Sequence, residues 1–139
     1  MTLPGIKTIY TCPCTHLVPD IEYRYRAGID IAVLTKLTPI RFWGTPLCEC
    51  ESAPQSNHPV ETATLSFHTE QRIPRAQPLA FIIEDATGHH WCIGHLEPPY
   101  PQITQRQTTS SPSGDPAGYY VEVKFVALHA LIPCMIANP

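Results

Sequence analysis

Clusters of cysteine and histidine are the residues of this sequence with the clearest capacity for chemistry. The chain has 139 residues, among them six Cys and seven His. Four of the thiols form two Cys-x-Cys pairs, Cys12 with Cys14 and Cys48 with Cys50. Zinc takes thiolate and imidazole ligands in tetrahedral sites, so these four sulfurs are the candidate metal ligands. A zinc-binding β-domain is therefore one alternative that the sequence keeps open.

The spacing of these residues argues against a single metal centre. Structural zinc ligands usually come as Cys-x(2–4)-Cys, whereas Cys-x-Cys in an extended chain separates its Cα atoms by about 6.6 Å. In a third cluster, His90 and Cys92 share one face of a predicted strand, while His89 and His95 share the other. We therefore favour reduced thiols that fill the core, most clearly at Cys92 and Cys134, and a protein without a cofactor.

Groups suited to acid–base catalysis occur without a recognisable active-site motif. Glu84 and Asp85 are adjacent carboxylates close to His89 and His90, but their place in a predicted turn favours solvated turn residues. A hydrolase would need a pocket that holds His90 or His95 beside one of these carboxylates. The sequence contains no motif of serine hydrolases, P-loop proteins, zinc proteases or dinucleotide-binding proteins. We therefore expect a protein that is not an enzyme.

Three aromatic residues, Trp43, Trp91 and Tyr100, are the candidate interaction residues. A surface built from such rings could stack against a small ligand, as in lectins. A Trp in a strand, however, more often packs in a core or an interface. A small-ligand-binding β-domain is therefore the second alternative that the sequence keeps open.

Charge and hydropathy restrict the partners that we expect. The formal net charge is −3, from 9 basic and 12 acidic residues, and the basic residues form no stripe that would neutralise a nucleic acid. No apolar run approaches the roughly 18 residues that a membrane span needs. Met1–Tyr10 lacks the apolar centre of a secretory signal. We expect no nucleic-acid or membrane partner, and a protein that is cytoplasmic or incorporated into a virion-like assembly.

The proline content indicates the fold class. Sixteen of the 139 residues are Pro, over twice the usual share of roughly 5%. Because Pro disrupts helix interiors, and because short segments alternate apolar and polar residues, strands are favoured over helices. The sequence predicts an all-β protein with little helix and one domain over residues 1–139. Its architecture would be a sandwich or small barrel of about seven or eight mostly antiparallel strands.

The residue pattern locates the strands and the connections between them. We predict strands at Ile21–Arg26, Ile29–Leu34, Ile40–Trp43, Val60–Thr69, Leu79–Ile83, His90–Leu96, Gln102–Thr109 and Tyr119–Ala127, the last extended through Leu128–Ile136. Leu79–Ile83 is apolar throughout, as in a central strand buried on both faces, and Gly94 indicates a bulge or close backbone approach. The predicted connections are an irregular segment over 1–20, loops at Glu51–Pro59 and Gln71–Pro78, a turn at Glu84–Gly88 and a flexible loop over 110–118.

The order of several segments carries a resemblance to a known group of proteins. These segments are Ile40–Trp43 with the following Gly-Thr-Pro, Leu65-Ser66-Phe67, Trp91-Cys92-Ile93-Gly94, Glu97-Pro98-Pro99-Tyr100-Pro101 and Tyr120–Phe125. Their order resembles small β-rich proteins encoded in prophages and integrated elements of Bacteroides-like bacteria. The resemblance covers about Ile29 to Pro133 and implies a structural part of a phage-derived tail or head-to-tail connection. Such a protein would self-associate or pack against other structural proteins, and Gln102–Thr109 is the edge strand expected to pair with another subunit.

Overall fold

The structure, a computed structural model, describes residues 5–29, 31–33, 37–55, 58–74, 76–108 and 118–136. Its strands are β1 Ile6–Pro13, β2 Ala32–Val33, β3 Thr38–Ile40, β4 Phe42–Gln55, β5 His58–Thr69, β6 Leu79–Asp85, β7 His90–Ile93, β8 Gln102–Thr108, β9 Gly118–Ala127 and β10 Ile132–Ile136. The described helices are a 3-10 helix at Cys14–His16 and the short α-helix α1 at Ile21–Arg26. The predicted all-β fold with little helix is confirmed.

The strands form two sheets that pack face to face. The six-stranded sheet has the order β2-β10-β7-β6-β1-β3, and the four-stranded sheet has the order β4-β5-β9-β8. The described pairings are antiparallel, except that β2 runs parallel to β10. Of the two shapes that the sequence predicts, the structure has the sandwich.

The main core lies between the two sheets and follows the alternation of their strands. Ala63, Leu65 and Phe67 of β5 point inward, opposite Val121, Val123 and Phe125 of β9 in register. From the six-stranded sheet, side chains of β1, β6 and β7 complete this core. The period of two in the sequence therefore corresponds to burial of one face of the four-stranded sheet.

A second core covers the opposite face of the six-stranded sheet. It comprises Cys12, Cys14, Leu17, Ile21, Ile31, Ala80, Ile82, Cys92, Ile132 and Cys134. Strand β6 contributes to both cores, with Phe81 and Ile83 on one face and Ala80 and Ile82 on the other. The prediction of a central strand buried on both faces is confirmed for this segment.

Gly94, directly after β7, allows two strands of the six-stranded sheet to come close together. Its φ angle is 135°, a region that favours glycine, and a Cβ atom there would lie 2.8 Å from the Cβ of Ala80. The predicted close backbone approach is therefore confirmed.

The predicted strand at Ile21–Arg26 is wrong, because this segment is α1. Ile21 is buried in the second core, and the carboxylate of Glu22 accepts a hydrogen bond from the backbone N–H of His129. Six residues are too few to show a helical period, and the contacts that hold them come from a distant part of the chain. In the predicted strand Ile29–Leu34, only Ala32–Val33 is a strand, and residues 30 and 34–36 lie outside the described residues.

The predicted loop at Glu51–Pro59 is wrong over its described part, because β4 and β5 form a long hairpin there. Pairing continues from Ser52 opposite Glu61 to Gln55 opposite His58, and residues 56–57 lie outside the described residues. The predicted strand Ile40–Trp43 is divided at Arg41 between β3 and β4. Polar residues and prolines suggest a loop in sequence, yet they are tolerated in β4 because it is an end strand.

The secondary structure near both ends of the chain also differs from the sequence prediction. The segment predicted to be irregular contains β1, which lies between β6 and β3 in the six-stranded sheet. The segment Leu128–Ile136 does not extend β9, because the chain bends at residues 128–131 and β10 joins the other sheet. The predicted flexible loop at 110–118 lies outside the described residues except for Gly118, where β9 begins.

Candidate functional site

The four cysteines that are the candidate zinc ligands lie in two different cores. Cys12 and Cys14 belong to the second core, whereas Cys48 and Cys50 on β4 belong to the main core. The six-stranded sheet lies between these pairs, so the structure does not bring the four sulfurs together. In the described part of the chain, no group of three or more His, Cys, Asp or Glu side chains is arranged to hold a metal ion.

All six cysteines are buried, as the packing interpretation expects. Burial raises the pKa of the Cys12 thiol to about 11 and that of Cys134 to about 12, with a smaller contribution to Cys134 from nearby Cys12. Burial also raises the pKa of Cys92 well above its ordinary value. The thiolate is the reactive form, so these side chains are poor nucleophiles at neutral pH.

Asp85 organises the hairpin between β6 and β7 from a buried position. Its Oδ1 accepts hydrogen bonds from the hydroxyl and backbone N–H of Thr87 and from the backbone N–H of His89. Its Oδ2 accepts the indole N–H of Trp91 at 3.0 Å. The hydrogen bonds, first that of the Thr87 hydroxyl, hold the pKa of Asp85 well below its ordinary value, although burial opposes them.

This arrangement corrects the prediction for one of the two adjacent carboxylates. Asp85 is only 1% exposed and is a structural acceptor, so it is not the solvated turn residue that the sequence suggests. Glu84 is half-buried and lies beside β1, where it accepts a hydrogen bond from the Thr8 hydroxyl. The hairpin itself is confirmed, because β6 and β7 pair in register around it.

The aromatic candidates Trp43, Trp91 and Tyr100 lie in three separate places. Trp43 is on the outward face of the four-stranded sheet, and Trp91 packs against the main core at the Asp85 hairpin. Tyr100 packs against the second core. The structure therefore does not form a single binding surface from these three rings.

Trp43 belongs to a row of side chains that crosses the four-stranded sheet on its outward face. In register, Trp43 on β4 faces His68 on β5, His68 faces Tyr120 on β9, and Tyr120 faces Arg106 on β8. Ring centroids are 5.8 Å apart for Trp43 and His68 and 5.0 Å apart for His68 and Tyr120. The Arg106 guanidinium lies 5.5 Å from the centre of the Tyr120 ring. We call these four residues the aromatic row.

A second cluster of polar groups joins α1 to the end of the main core. Oε2 of Glu22 lies 2.5 Å from Nδ1 of His129, and Oε1 accepts the backbone N–H of His129 at 2.8 Å. Nε2 of His95 lies 3.6 Å from Oε1 and is buried, with no hydrogen-bond partner in the described part of the chain. The His95 ring also stacks edge-on against Phe125.

The electrostatics of this cluster favour the neutral form of His95. Burial lowers the pKa of His95 from its ordinary value of 6.5. The carboxylates of Glu22 and Glu97 and a hydrogen bond to the backbone of His129 oppose this shift, but they are smaller. His95 therefore stays neutral to a lower pH than an ordinary histidine does.

A groove of about 720 Å³ opens beside this cluster, between the two sheets. The described residues that line it are Tyr25, Cys50, Glu51, Ser52, Glu61, Trp91, Leu131 and Pro133. A volume of this size is typical of sites that bind small molecules. Trp91 is the one candidate interaction residue that lines it.

Sequence reasoning missed most members of these sites. The missed residues belong to no local motif, and their partners are distant in the chain. They are Glu22, Glu61, His68, Arg106 and Tyr120. The alternation of β5 and β9 does assign His68 and Tyr120 to an outward face, but it does not show that the two strands are neighbours. Only the strand order brings them together.

Comparison with known proteins adds no family to these observations. No family model, curated protein or solved structure matches the chain. Among the described residues, none of the helices is long and apolar enough to cross a membrane.

Proposed function

We propose that this protein is a non-enzymatic assembly protein that pairs with a second copy of itself through β8. The observation that carries the proposal is the difference between β8 and the other three sheet ends. β2 has two residues, and β3 has three residues that include Pro39. A strand this short offers little backbone for pairing, and Pro lacks an N–H group to donate.

The fourth sheet end, β4, is long but carries two features that disfavour strand addition. Pro46 and Pro54 each remove a backbone donor, and Glu49 and Glu51 place negative charge along the strand. In an antiparallel pair of two β4 strands centred on Cys50, Glu49 would lie opposite Glu51. Like charges directly opposite each other destabilise such a pair.

β8 has neither of these features. Its seven residues contain no Pro, and its one charged side chain is Arg106. In an antiparallel pair centred on Gln105, Arg106 lies opposite Thr104 of the second copy, so no like charges meet. The two four-stranded sheets then form one continuous eight-stranded sheet. The outer edge of a strand that ends a sheet is a template for pairing of this kind.

The aromatic row supports the same location for the interface. It ends at Arg106 on β8, so pairing through β8 brings the rows of two copies end to end. Trp, Tyr and Arg are the side chains that most often dominate the binding energy of protein interfaces. The amide of Gln105 is occupied elsewhere, because it donates to and accepts from the backbone of Ile73.

Sedimentation velocity across protein concentrations tests this proposal. We expect a concentration-dependent dimer, and Thr104→Lys to weaken it by at least about tenfold, because Lys would face Arg106 of the other copy. The matched control is Thr62→Lys, on the same face of the sheet but on the inner strand β5. Circular dichroism establishes that both variants are folded. A wild-type monomer at every concentration, or equal loss of dimer in both variants, would contradict pairing through β8.

We also propose that the assembly is a phage-derived tail or head-to-tail structure. This finer proposal rests on the resemblance of segment order in the sequence. The neighbouring genes test it directly. Tail-tube, tape-measure or portal genes beside this one would support it, and a neighbourhood of metabolic genes would count against it.

A further inference from the structure

The groove between the sheets has an aromatic wall that is fixed before any ligand arrives. Trp91 lines the groove, and its indole N–H is held by Oδ2 of the buried Asp85. Tyr25 of α1 also lines it, and its ring stacks edge-on against His129 with centroids 4.8 Å apart. His129 is bound in turn by Glu22 of the same helix. Both rings are therefore oriented by contacts outside the groove.

A carboxylate in the same groove is held in place by contacts to one of its two oxygens. Oε1 of Glu61 accepts the backbone N–H of Ala130 at 3.0 Å and lies 3.8 Å from the Cys50 thiol. Among the described residues, no hydrogen bond is made to Oε2 of Glu61. The second oxygen of a fixed carboxylate is thus available to a ligand that donates hydrogen bonds.

The charged side chains among the described lining residues are both acidic. Glu51 and Glu61 are these carboxylates, and none of the eight described lining residues is Lys, Arg or His. A groove with carboxylates and two aromatic rings complements a cation that also has apolar or planar surface. An anion would meet like charge, and a purely apolar ligand would leave the carboxylates without a partner.

We propose that this groove binds an organic cation with an ammonium or guanidinium head group. The head group donates to Oε2 of Glu61 and contacts the rings of Trp91 and Tyr25. The attached carbon chain lies against Leu131 and Pro133. This site is separate from β8, so its test does not depend on whether the protein assembles through β8.

Titration with a matched pair of probes tests the site. N-acetyl-arginine amide carries the guanidinium group, and N-acetyl-citrulline amide is its neutral counterpart with nearly the same shape. Binding is followed by the fluorescence of Trp91 in a Trp43→Phe background, which removes the other indole. We expect the arginine probe to bind at least about tenfold more tightly than the citrulline probe, with affinity that falls as salt is added.

Variants of single carboxylates connect this binding to the groove. Glu61→Gln keeps an acceptor for the N–H of Ala130 but removes the charge, and we expect it to lower affinity for the arginine probe about tenfold or more. Glu122→Gln is the matched control, because Glu122 lies on the outward face of the four-stranded sheet. Equal affinity for the two probes, no binding of either, or equal effects of the two variants would overturn the proposal.

A free small molecule and a basic side chain of a partner protein share this chemistry. Comparison of free agmatine with an arginine-containing peptide separates these two sources. Tighter binding of agmatine assigns the groove to a small molecule, and tighter binding of the peptide assigns it to a partner. Failure of agmatine, the peptide and the arginine probe to bind would contradict the site itself.

Discussion

Two carboxylate networks fasten loops to this sandwich, and they differ in how completely their polar groups are paired. At the β6–β7 hairpin, Asp85 accepts hydrogen bonds from Thr87, His89 and Trp91, so both of its oxygens are used. At α1, Glu22 is bound to His129, but Nε2 of the neighbouring His95 has no hydrogen-bond partner among the described residues.

The difference follows from the distances along the chain. The partners of Asp85 lie two to six residues away, within one hairpin, whereas Glu22 and His129 are 107 residues apart. A local network can form as soon as its turn forms, but a network between distant segments needs the whole sandwich in place. We conclude that the first network holds the β6–β7 turn, and we expect the second to respond to pH through His95, whose pKa burial lowers.

We expect the largest loss of stability when Asp85, the acceptor of the fully paired network, is removed. Asp85→Ala leaves the indole N–H of Trp91 and the backbone N–H groups of Thr87 and His89 without their acceptor. We expect the free energy of unfolding to fall by about 3 kcal/mol, measured by chemical denaturation. Glu84→Ala, at the adjacent half-buried carboxylate, is the control and should cost less. Equal losses in the two variants would show that Asp85 has no special role.

Breaking the distant network should have a smaller effect. Glu22→Ala removes the acceptor for the backbone N–H and the ring of His129, and we expect a loss of about 2 kcal/mol in the free energy of unfolding. Glu22→Gln retains an acceptor for the N–H and should recover part of this loss. Hydrogen exchange at the His129 amide measures the same contact directly. Unchanged exchange in Glu22→Ala would contradict the role of Glu22 in holding α1.

The pH dependence of stability should separate the two networks. His95 has a folded-state pKa below 6.5, so as the pH falls below 6.5 the unfolded chain binds a proton that the folded chain resists. The free energy of unfolding therefore decreases on mild acidification, by at most about 1.4 kcal/mol per pH unit for this one group. Asp85 has a folded-state pKa below 3.8, so its contribution is complete above pH 3.8 and is lost only below it.

Denaturation curves measured across this pH range test the assignment. His95→Gln should flatten the decline that begins near pH 6.5, because Gln does not titrate. Asp85→Asn should leave that decline as it is and reduce the further loss below pH 3.8. An unchanged decline in His95→Gln would assign the mild-acid response to other groups.

The smallest expected effect comes from removing one donor of the Asp85 network while keeping the Asp85 carboxylate. Thr87→Val deletes the hydroxyl that donates to Oδ1 of Asp85 at 2.6 Å but keeps the backbone N–H donor. We expect a loss of about 1 kcal/mol, because the buried carboxylate keeps other donors and the second hydrogen bond of this hydroxyl, to Nδ1 of His89, is exposed. Thr62→Val, at an outward position on β5, is the control with the same change of side chain. An equal effect at both sites would mean that the hydroxyl of Thr87 contributes nothing specific.

The strands that the sequence predicts best are those with one clear pattern of burial. Val60–Thr69 and Tyr119–Ala127 alternate because one face of each lies on the main core, and Leu79–Ile83 is apolar because both of its faces are covered. The hairpin around Glu84–Gly88 is equally clear, since its turn residues lie between two such segments. These features depend on neighbours in sequence, which is why they can be read from it.

The elements that the sequence mispredicts depend on distant contacts or on their place in a sheet. Ile21–Arg26 alternates like a strand, but its Glu22 and Ile21 find partners that favour a helix. The polar, proline-containing part of β4 is paired on one side by β5, and its other side needs no partner because the strand ends a sheet. A local pattern does not contain this information.

The candidate sites show the same division. Trp43 and Trp91 can be selected from the sequence by residue type, and the six thiols can be assigned to the core by their apolar surroundings. Residue type does not select the side chains that surround these two Trp residues. Examples are His68, whose ring lies beside Trp43, and Glu61, which lines the same groove as Trp91. Strand order is what makes them neighbours.

By itself, the sequence determined that this chain is a short-stranded β protein with buried thiols, because prolines and alternating side chains act over a few residues. The tertiary structure alone decided which strands end the sheets, which rings share the aromatic row and which carboxylates line the groove. Those relations join segments that are far apart in the chain, and they arise only when the sheets pack to bury their apolar faces. The edge at β8 and the groove beside Trp91 both follow from that packing.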